Sequence, residues 1–534
     1  MSARDDGQRR LVPRWRYSRR TILGCEHEGD PRSERRHIPL ASNLQAFQEH
    51  WERTHSLLAA REFVTAAVID ANPEVARSAA VQLLASPGPN STEVLGCARF
   101  VLGERAILDL EASGIGGSAL EQPARHARQI VVHGRKLLRE YPRNVARRLD
   151  MARAFAVLGQ PNAALKEMRV AVALAPDHRV VLRTAARLLV HFGRADEAHA
   201  ILSAHPRTRN DPWLMATEIS VAMILEQTPQ SPRAGRLLIG EAALPPGHLS
   251  ELASALATLD AHNGDTKRAR KLYTLSLEQP NDNVLAQAHW LAERDSSLRA
   301  RLSKVPSQLP GCMEAECFRA QAENRWNEAL EHAYEWHYDE PYSSRPAGTA
   351  CFIAATALQD YAAAIQIARA GLKVDPKDDL LANNLIYALA RNGEIEEAVA
   401  RFGTLAASPH PRVPEFVFVA TQGLLAFGRG NEAGGRADYQ RAFDLARDLA
   451  SKVRVLADWG QTEALYHTKF AEVIHETLKR AKHLPLDAST SCSVGAFGRI
   501  YQAERAARLA TRDAHVSAPV PTLYVPNLFP HQLK

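Results

Sequence analysis

The sequence predicts an all-α solenoid of stacked helix–turn–helix units. Two segments, 345–378 and 379–411, carry paired helical patterns that begin 34 residues apart. Apolar residues recur in them at helical spacing, and small residues at intervals let neighbouring backbones approach closely. Pro376 cannot continue a helix, so it closes the first segment. One hairpin of this kind cannot bury its own apolar face, so the units are expected to stack.

Particular positions in these two segments carry a family resemblance. Small residues lie at the crossing positions, and a proline or a glycine marks the end or the turn of each unit: Ala364, Gly371, Pro376, Gly393 and Ala398. Here the chain resembles the tetratricopeptide repeat (TPR) family. The resemblance implies a superhelical solenoid of TPR-like repeats with a concave, peptide-binding groove. Phe352 and Ile386 are large where the family prefers small residues, which predicts a looser helix crossing there.

Composition and charge agree with a helical chain of near-neutral body. The 534 residues carry a net charge of +6. Residues 1–40 hold ten Arg against six Asp or Glu, a surplus of four, which leaves about +2 for the rest of the chain. We therefore interpret 1–40 as a disordered, Arg-rich tail rather than as part of a basic body.

Cysteine usage and hydropathy bear on the compartment. The six cysteines are scattered, without a CxxC pair or a disulfide framework, which favours a reducing cytoplasm. No run of 18 apolar residues is present, so we expect no membrane-spanning helix. Arg19-Arg20 followed by Ile22-Leu23-Gly24-Cys25 resembles an export signal, but the apolar stretch between them is too short for one.

The helical segments can be followed along the chain. Helices are expected over 43–71 (two of them), 73–86, 92–112 and 122–141. Units follow from Val145, Arg179, a degenerate one over 212–244, then 250–279 and 311–341, with a helix over 283–302 that departs from the repeat. Asp211-Pro212 is a predicted helix start. Glycines 428, 430, 434 and 435 predict a distorted turn in the 413–447 unit, and helices over 452–483 and 493–515 follow.

These segments give the following predicted organisation: 1–40 disordered tail, 41–142 N-terminal degenerate helical repeats, 143–310 TPR-like repeats, 311–450 TPR repeats that are most regular at 345–411, 451–515 C-terminal helices and 516–534 Pro-rich extended tail. The last of these alternates apolar residues with proline. We leave open whether it docks in this chain's own groove, binds a partner or stays disordered.

One cluster has metal-ligand spacing. Cys312, Cys317, His332 and His337 come close to the pattern of a zinc finger. Residues five apart on one helix lie about 140° apart around its axis, which disfavours convergence on one ion. Cys317 also occupies a small-residue position, where a buried thiol simply packs. We therefore expect no metal or cofactor, and the absence of HExxH, GxSxG and a Walker lysine favours a protein that is not an enzyme.

The resemblance places the functional residues in the groove of the first helix of each unit. The implied groove residues are Arg153, Arg183, Arg187, Asn383, Asn384, Tyr387 and Arg391. An Asn amide both donates to a peptide C=O and accepts from N–H, and a stripe of arginines suits carboxylates.

The resulting hypothesis is a protein–protein interaction scaffold that binds partner peptides. The alternatives are a nucleic-acid-associated adaptor that uses the Arg-rich tail with a basic groove, and a metal-dependent enzyme subunit.

Overall fold

Helices and turns make up the described part of the chain. The computed structural model describes residues 41–69, 73–86, 98, 101–102, 118–140, 142–241, 244, 246–292, 301–302, 312–408, 412–466, 470–481, 486 and 488–510. No strand occurs within these ranges. The all-α fold class is therefore confirmed. The expected tails 1–40 and 516–534 and the expected helix 92–112 lie outside the described residues, except for three positions of the latter.

The helices follow one another with short connections. The first eight are α1 (Ala41–Thr54), α2 (Leu57–Ile69), α3 (Arg77–Ala85), α4 (Ser118–Glu140), α5 (Val145–Val157), α6 (Pro161–Leu174), α7 (Arg179–His191) and α8 (Ala195–Ala204). The next seven are α9 (Pro212–Ile224), α10 (Pro232–Gly240), α11 (Pro246–His262), α12 (Thr266–Ser276), α13 (Asp282–Ala292), α14 (Met313–Ala322) and α15 (Trp326–Asp339).

The remaining helices are α16 (Ser344–Phe352), α17 (Tyr361–Val374), α18 (Asp379–Arg391), α19 (Ile395–Ala406), α20 (Glu415–Gly428), α21 (Glu432–Leu445), α22 (Leu449–Leu465), α23 (Phe470–Ala481) and α24 (Ala488–Ala510). Short 3₁₀ helices at Pro73–Ala76 and Pro206–Arg209 and a π-helical segment at Ile353–Leu358 complete the described elements.

The chain forms two units. Unit 1 comprises 1–318 and 335–342, and unit 2 comprises 319–334 and 343–534, so the boundary passes through α14 and α15. In unit 1, α7 packs on α9, and α9 packs on α11. In unit 2, α16 packs on α18, α18 on α20 and α20 on α22. Each first helix of a hairpin thus contacts its own second helix and the first helix of the next hairpin, which is the stacking expected of a repeat array.

Local chemistry explains where the helices start. The Asp211 carboxylate accepts the backbone N–H groups of Trp213 and Leu214, and Pro212 occupies the first helical position, as predicted. Asp360 and Asp378 cap α17 and α18 in the same way, by accepting from Ala363 N–H and Leu381 N–H. These caps satisfy amides that have no acceptor within their own helix.

Among the described residues, a left-handed residue marks the turn of eight hairpins. Its φ is positive at Gly159, Gly193, Glu226, Gly264, Asn324, Gln359, Gly393 and Gly430. Gly159 and Gly193 are about one repeat apart in sequence, and so are Gln359 and Gly393. The same backbone turn therefore recurs whether or not the residue is glycine, because packing of the two helices imposes it.

The turn of the 413–447 hairpin is not distorted, contrary to the sequence prediction. Gly430 takes the left-handed turn conformation with φ +78°, as the equivalent glycines do. Gly434 and Gly435 belong to α21 instead. A Cβ on Gly435 would overlap the Phe427 ring and lie 3.0 Å from the Gly423 carbonyl oxygen. Gly435 is thus a close-packing residue between α20 and α21, with Gly423 facing it.

The hairpin that starts at Arg345 contains an irregular first helix. Phe352 ends α16, and the backbone continues as the π-helical segment Ile353–Leu358, with Gln359 at φ 60°. The large Phe352 side chain lies where the family prefers a small one, and the wider π turn follows directly after it. The crossing remains tight elsewhere in this hairpin, since a Cβ on Gly371 would come within 2.7 Å of the Ala347 Cβ.

Candidate interaction groove

The Arg183 side chain is buried and pairs with a carboxylate of the protein itself. Its Nη2 lies 2.7 Å from Glu251 Oε1, and the two side chains are 0% and 1% exposed. Asn281 Nδ2 donates to Glu251 Oε2 at 3.0 Å, and Asn283 Nδ2 donates to Oε1 at 3.3 Å. The carboxylate of Glu251 therefore has three donors in a dry environment. A ligand reaching this point would have to displace Glu251 from Arg183.

Arg187, one turn further along α7, also has an internal carboxylate. Its Nε and Nη2 both donate to Glu340 Oε1, at 3.1 and 2.5 Å, and the Glu340 side chain is fully buried. Trp336 Nε1 donates to the other oxygen of Glu340 at 3.3 Å. Burial alone lowers the pKa of Arg187, but the charge of Glu340 outweighs it and raises that pKa. Arg153, the third predicted arginine, is half-buried on α5.

The predicted groove residues of α18 divide into two groups. Asn383 is 2% exposed, and the Arg391 side chain is fully buried. Arg391 Nη2 donates to Asp458 Oδ1 at 2.7 Å and to the Asp458 carbonyl at 3.1 Å. The Tyr387 hydroxyl donates to Gln461 Oε1 at 3.4 Å, and its ring centre lies 5.1 Å from the Arg391 guanidinium carbon. These contacts join α18 to α22.

Asn384 belongs to the other group. It remains half-exposed, and Leu380, one turn before it on α18, is 42% exposed. In the first turn of the neighbouring helix α20, Val417 is half-buried. The start of α18 therefore has an exposed apolar side chain one turn from a partly exposed amide, whereas the end of the same helix is covered by the contact between Arg391 and Asp458.

Sequence reasoning missed the carboxylates that neutralise the arginines. Glu251 and Asp458 each accept from a buried guanidinium, and Glu340 accepts from the partly buried guanidinium of Arg187. Glu251 is the second residue of the unit that begins at Ser250, which is itself a groove-facing position in the family. The same positional rule that gave Arg183 would have placed Glu251 on the predicted groove face, had it been applied to every unit, but it would not have identified the two residues as partners.

The four residues with the sequence spacing of zinc ligands lie in packed surroundings. Cys317 is 0% and Cys312 4% exposed. His332 Nε2 lies 3.5 Å from Glu328 Oε1, and burial lowers the pKa of His337 to about 4. Over the described residues, no group of three or more His, Cys, Asp or Glu side chains is arranged to hold a metal ion. Two of the six cysteines, Cys25 and Cys97, lie outside these residues.

None of the helices within the described ranges is both long and apolar enough to cross a membrane.

Comparison with solved structures returns helical proteins at low similarity. Human IFIT1 with m7Gppp-AAAA is 14% identical, with 69% of this chain and 90% of that chain covered and a TM-score of 0.37. Yeast Tom70 is 11% identical over 89% of this chain and 97% of that chain, with a TM-score of 0.31. Naa15/Naa10 bound to HypK-THB is 15% identical over 88% and 73%, with a TM-score of 0.24. Likeness at this level says nothing about function.

Comparison with sequences is more limited. No curated protein matches the chain. The tetratricopeptide repeat family profile matches residues 158–216. This stretch folds as the second helix of one hairpin, the complete α7–α8 hairpin and the start of α9. The family resemblance and the observed hairpins therefore agree over this matched stretch, and the chain contains tetratricopeptide repeats within residues 158–216.

Proposed function

We propose that the chain is a non-catalytic interaction scaffold that binds an extended peptide of a partner protein at the start of α18. The observation that carries the proposal is the accessibility of Leu380 and Asn384, one helical turn apart, on a helix where Asn383 and Arg391 are buried and the Tyr387 hydroxyl bonds Gln461. In this proposal, Asn384 holds the peptide backbone through its amide, which can donate and accept at once. An apolar side chain of the peptide lies on Leu380 and Val417.

The contacts elsewhere on the inner face support this choice of segment. Asn383 is almost completely buried, and Arg391 is held by Asp458. In unit 1, Arg183 and Arg187 are neutralised by Glu251 and Glu340. The nucleic-acid alternative needs these arginines for phosphates, and its other component, the Arg-rich segment 1–40, lies outside the described residues. The peptide alternative needs only groups that remain accessible.

Site-specific photo-crosslinking in the full-length chain tests the proposal. A photoreactive phenylalanine analogue at Leu380 is expected to capture a peptide segment that mass spectrometry identifies. The matched control carries the same analogue at Thr404, an exposed position on α19 of the same hairpin. The synthetic peptide then serves for affinity measurement by fluorescence anisotropy. Asn384→Ala is expected to weaken binding about tenfold, which corresponds to about 1.4 kcal/mol.

Two outcomes would contradict the proposal. One is the same set of adducts from Leu380 and Thr404, which would mean that capture reflects collision rather than a site. The other is an unchanged affinity of Asn384→Ala for the captured peptide, which would remove the amide from the interface. Thr404→Ala is the control for the affinity series and should bind as the unmodified chain does.

A further inference from the structure

Unit 1 contains a pocket on a different set of elements from the α18 surface. Its volume is about 350 Å³, and it lies between the end of α8, the 3₁₀ helix Pro206–Arg209 and the start of α10. The residues that line it are Ser203, Thr208, Arg209, Gln230, Ser231, Arg233, Ala234 and Leu237.

Two cations at this pocket lack a partner among the described residues. Arg209 and Arg233 are exposed, and neither makes an ion pair or a hydrogen bond within the described residues. Their neighbours behave differently: Arg207 pairs with Asp211 at 3.1 Å, and Arg236 pairs with Asp260 at 2.5 Å. The two arginines that line the pocket are therefore those left available for a ligand.

Hydrogen-bond donors of the protein converge on the same place. Thr208 is 3% exposed, and its hydroxyl is buried without a partner. Such a group costs about 1–3 kcal/mol unless something bonds it. Ser231 precedes α10, but its side chain makes no capping bond to the helix. Pro232, the first residue of the nine-residue α10, has no N–H, so Arg233 and Ala234 supply the first-turn N–H groups that have no acceptor within the helix. This end of the helix dipole is positive.

One carboxylate lies behind this helix start. Glu218 is fully buried and accepts the backbone N–H groups of Gln230 and Ser231, at 2.9 and 3.0 Å. His199 Nε2 lies 3.1 Å from the same carboxylate. Glu218 is not among the residues that line the pocket. It fixes the approach to α10, and the pocket itself carries the two arginines.

The other wall of the pocket is apolar. Ala234 and Leu237 face it from α10, and Leu237 is 62% exposed. Ligand pockets typically span about 300–1,000 Å³, so this one is larger than a bare anion requires. Two guanidinium groups, hydroxyl donors and a helix N-terminus suit a doubly charged, multi-oxygen anion better than a single carboxylate. We propose that this pocket binds a phosphate monoester, with the phosphoryl group between Arg209 and Arg233 and the ester's apolar group on Leu237.

Isothermal titration of the full-length chain with phenyl phosphate tests the pocket. Phenyl phosphate is expected to bind at least tenfold more tightly than inorganic phosphate, because only the former covers Leu237. The double variant Arg209→Gln/Arg233→Gln should bind phenyl phosphate at least tenfold more weakly than the unmodified chain. Both arginines are exposed, so this variant is expected to fold. Lys271→Gln, at an exposed position on α12, is the matched control for a single lost charge and should bind normally.

Two further measurements make the result specific. Thr208→Val should weaken the binding of phenyl phosphate several-fold. If this change at a buried position impairs folding, the double arginine variant still tests the proposal. A peptide containing phosphotyrosine separates the two sources of the ester. Tighter binding of the peptide than of phenyl phosphate indicates a phosphorylated protein segment, and equal binding indicates a free phosphate ester.

The proposal is overturned by equal affinity of phenyl phosphate for the double arginine variant and the unmodified chain. Saturation only at tens of millimolar, with phenyl phosphate no better than inorganic phosphate, overturns it as well, because this is the behaviour of general charge attraction.

Discussion

Arg183 and Glu251 form a buried ion pair although they are 68 positions apart in sequence. They lie on α7 and α11, two first helices that are separated by α9 in the stack. Arg391 and Asp458 repeat this relationship in unit 2, 67 positions apart on α18 and α22. In both places a side chain on the first helix of one hairpin bonds the first helix two hairpins further along. Each unit is therefore stabilised by an ion pair between non-adjacent hairpins as well as by packing between neighbouring hairpins.

Arg183→Met is expected to destabilise the protein strongly. It leaves Glu251, which is 1% exposed, without its cation, although Asn281 and Asn283 still donate to it. Removing one member of a buried ion pair typically costs about 3–5 kcal/mol. The free energy of unfolding from urea titration, followed by circular dichroism, measures the loss.

The double variant Arg183→Met/Glu251→Met is the control for this prediction. It removes both charges and fills the space with apolar groups, so most of the lost stability should return. A single variant that loses less than about 1 kcal/mol, within the range of an exposed pair, would show that the two groups are not held in a dry contact.

Close packing of α20 and α21 gives a second prediction. Gly435→Ala should destabilise by about 1–3 kcal/mol, because the new Cβ overlaps the Phe427 ring and overpacked positions cost this much. Gly403→Ala is the matched control in α19, where a Cβ meets nothing within 4 Å. That change should stabilise by about 0.5–1 kcal/mol through helix propensity. Thermal unfolding of the two variants beside the unmodified chain shows whether their signs are opposite.

Much of the fold could be predicted from sequence because each hairpin is specified locally. The small residues at Ala364 and Ala398 and the proline at Pro376 belong to single units, so their meaning does not depend on distant parts of the chain. The helix start at Asp211 is equally local. The prediction failed at Gly435, where four nearby glycines were assigned to a turn. Only one of them, Gly430, has the left-handed conformation that the turn requires.

The candidate groove could be predicted only in part. Position within a repeat indicates which residues face inwards, but not which of them meet across two repeats. That depends on the rotation between successive hairpins, which no single hairpin encodes. Arg183 and Arg391 were therefore assigned to ligands, although the protein supplies Glu251 and Asp458 for them. The pocket beside α10 has no sequence motif at all, since its two arginines come from separate elements.

The left-handed turns provide a third prediction. Glu226 has φ 59° at the turn position where Gly193 has φ 72° in the preceding hairpin. The left-handed conformation costs a residue with a Cβ about 1–2 kcal/mol. Glycine avoids this cost, but it loses more conformational entropy on folding, which offsets part of the gain. Glu226→Gly should therefore stabilise by about 0.5–1 kcal/mol in urea titration.

Two variants separate the backbone effect from loss of the Glu226 side chain. Glu226→Ala removes the side chain's contacts but keeps the strained backbone, so it should not stabilise the protein. Gly193→Ala should destabilise by about 1 kcal/mol, even though a Cβ there meets nothing within 4 Å. If Glu226→Ala stabilised as much as Glu226→Gly, the side chain rather than φ would be responsible.

His337 gives a prediction about pH. Burial lowers its pKa to about 4 in the folded protein, against 6.5 for an unburied histidine. Below pH 6.5 the unfolded chain therefore binds a proton at His337, whereas the folded chain does not. The free energy of unfolding consequently falls as the pH drops from 6.5 towards 4. Between pH 7.5 and 5 this single group should cost about 2 kcal/mol of unfolding free energy. His337→Phe should remove that part of the pH dependence and leave a curve parallel to the unmodified chain above pH 7.5. Equal slopes for the two proteins below pH 6.5 would mean that His337 takes up its proton without unfolding.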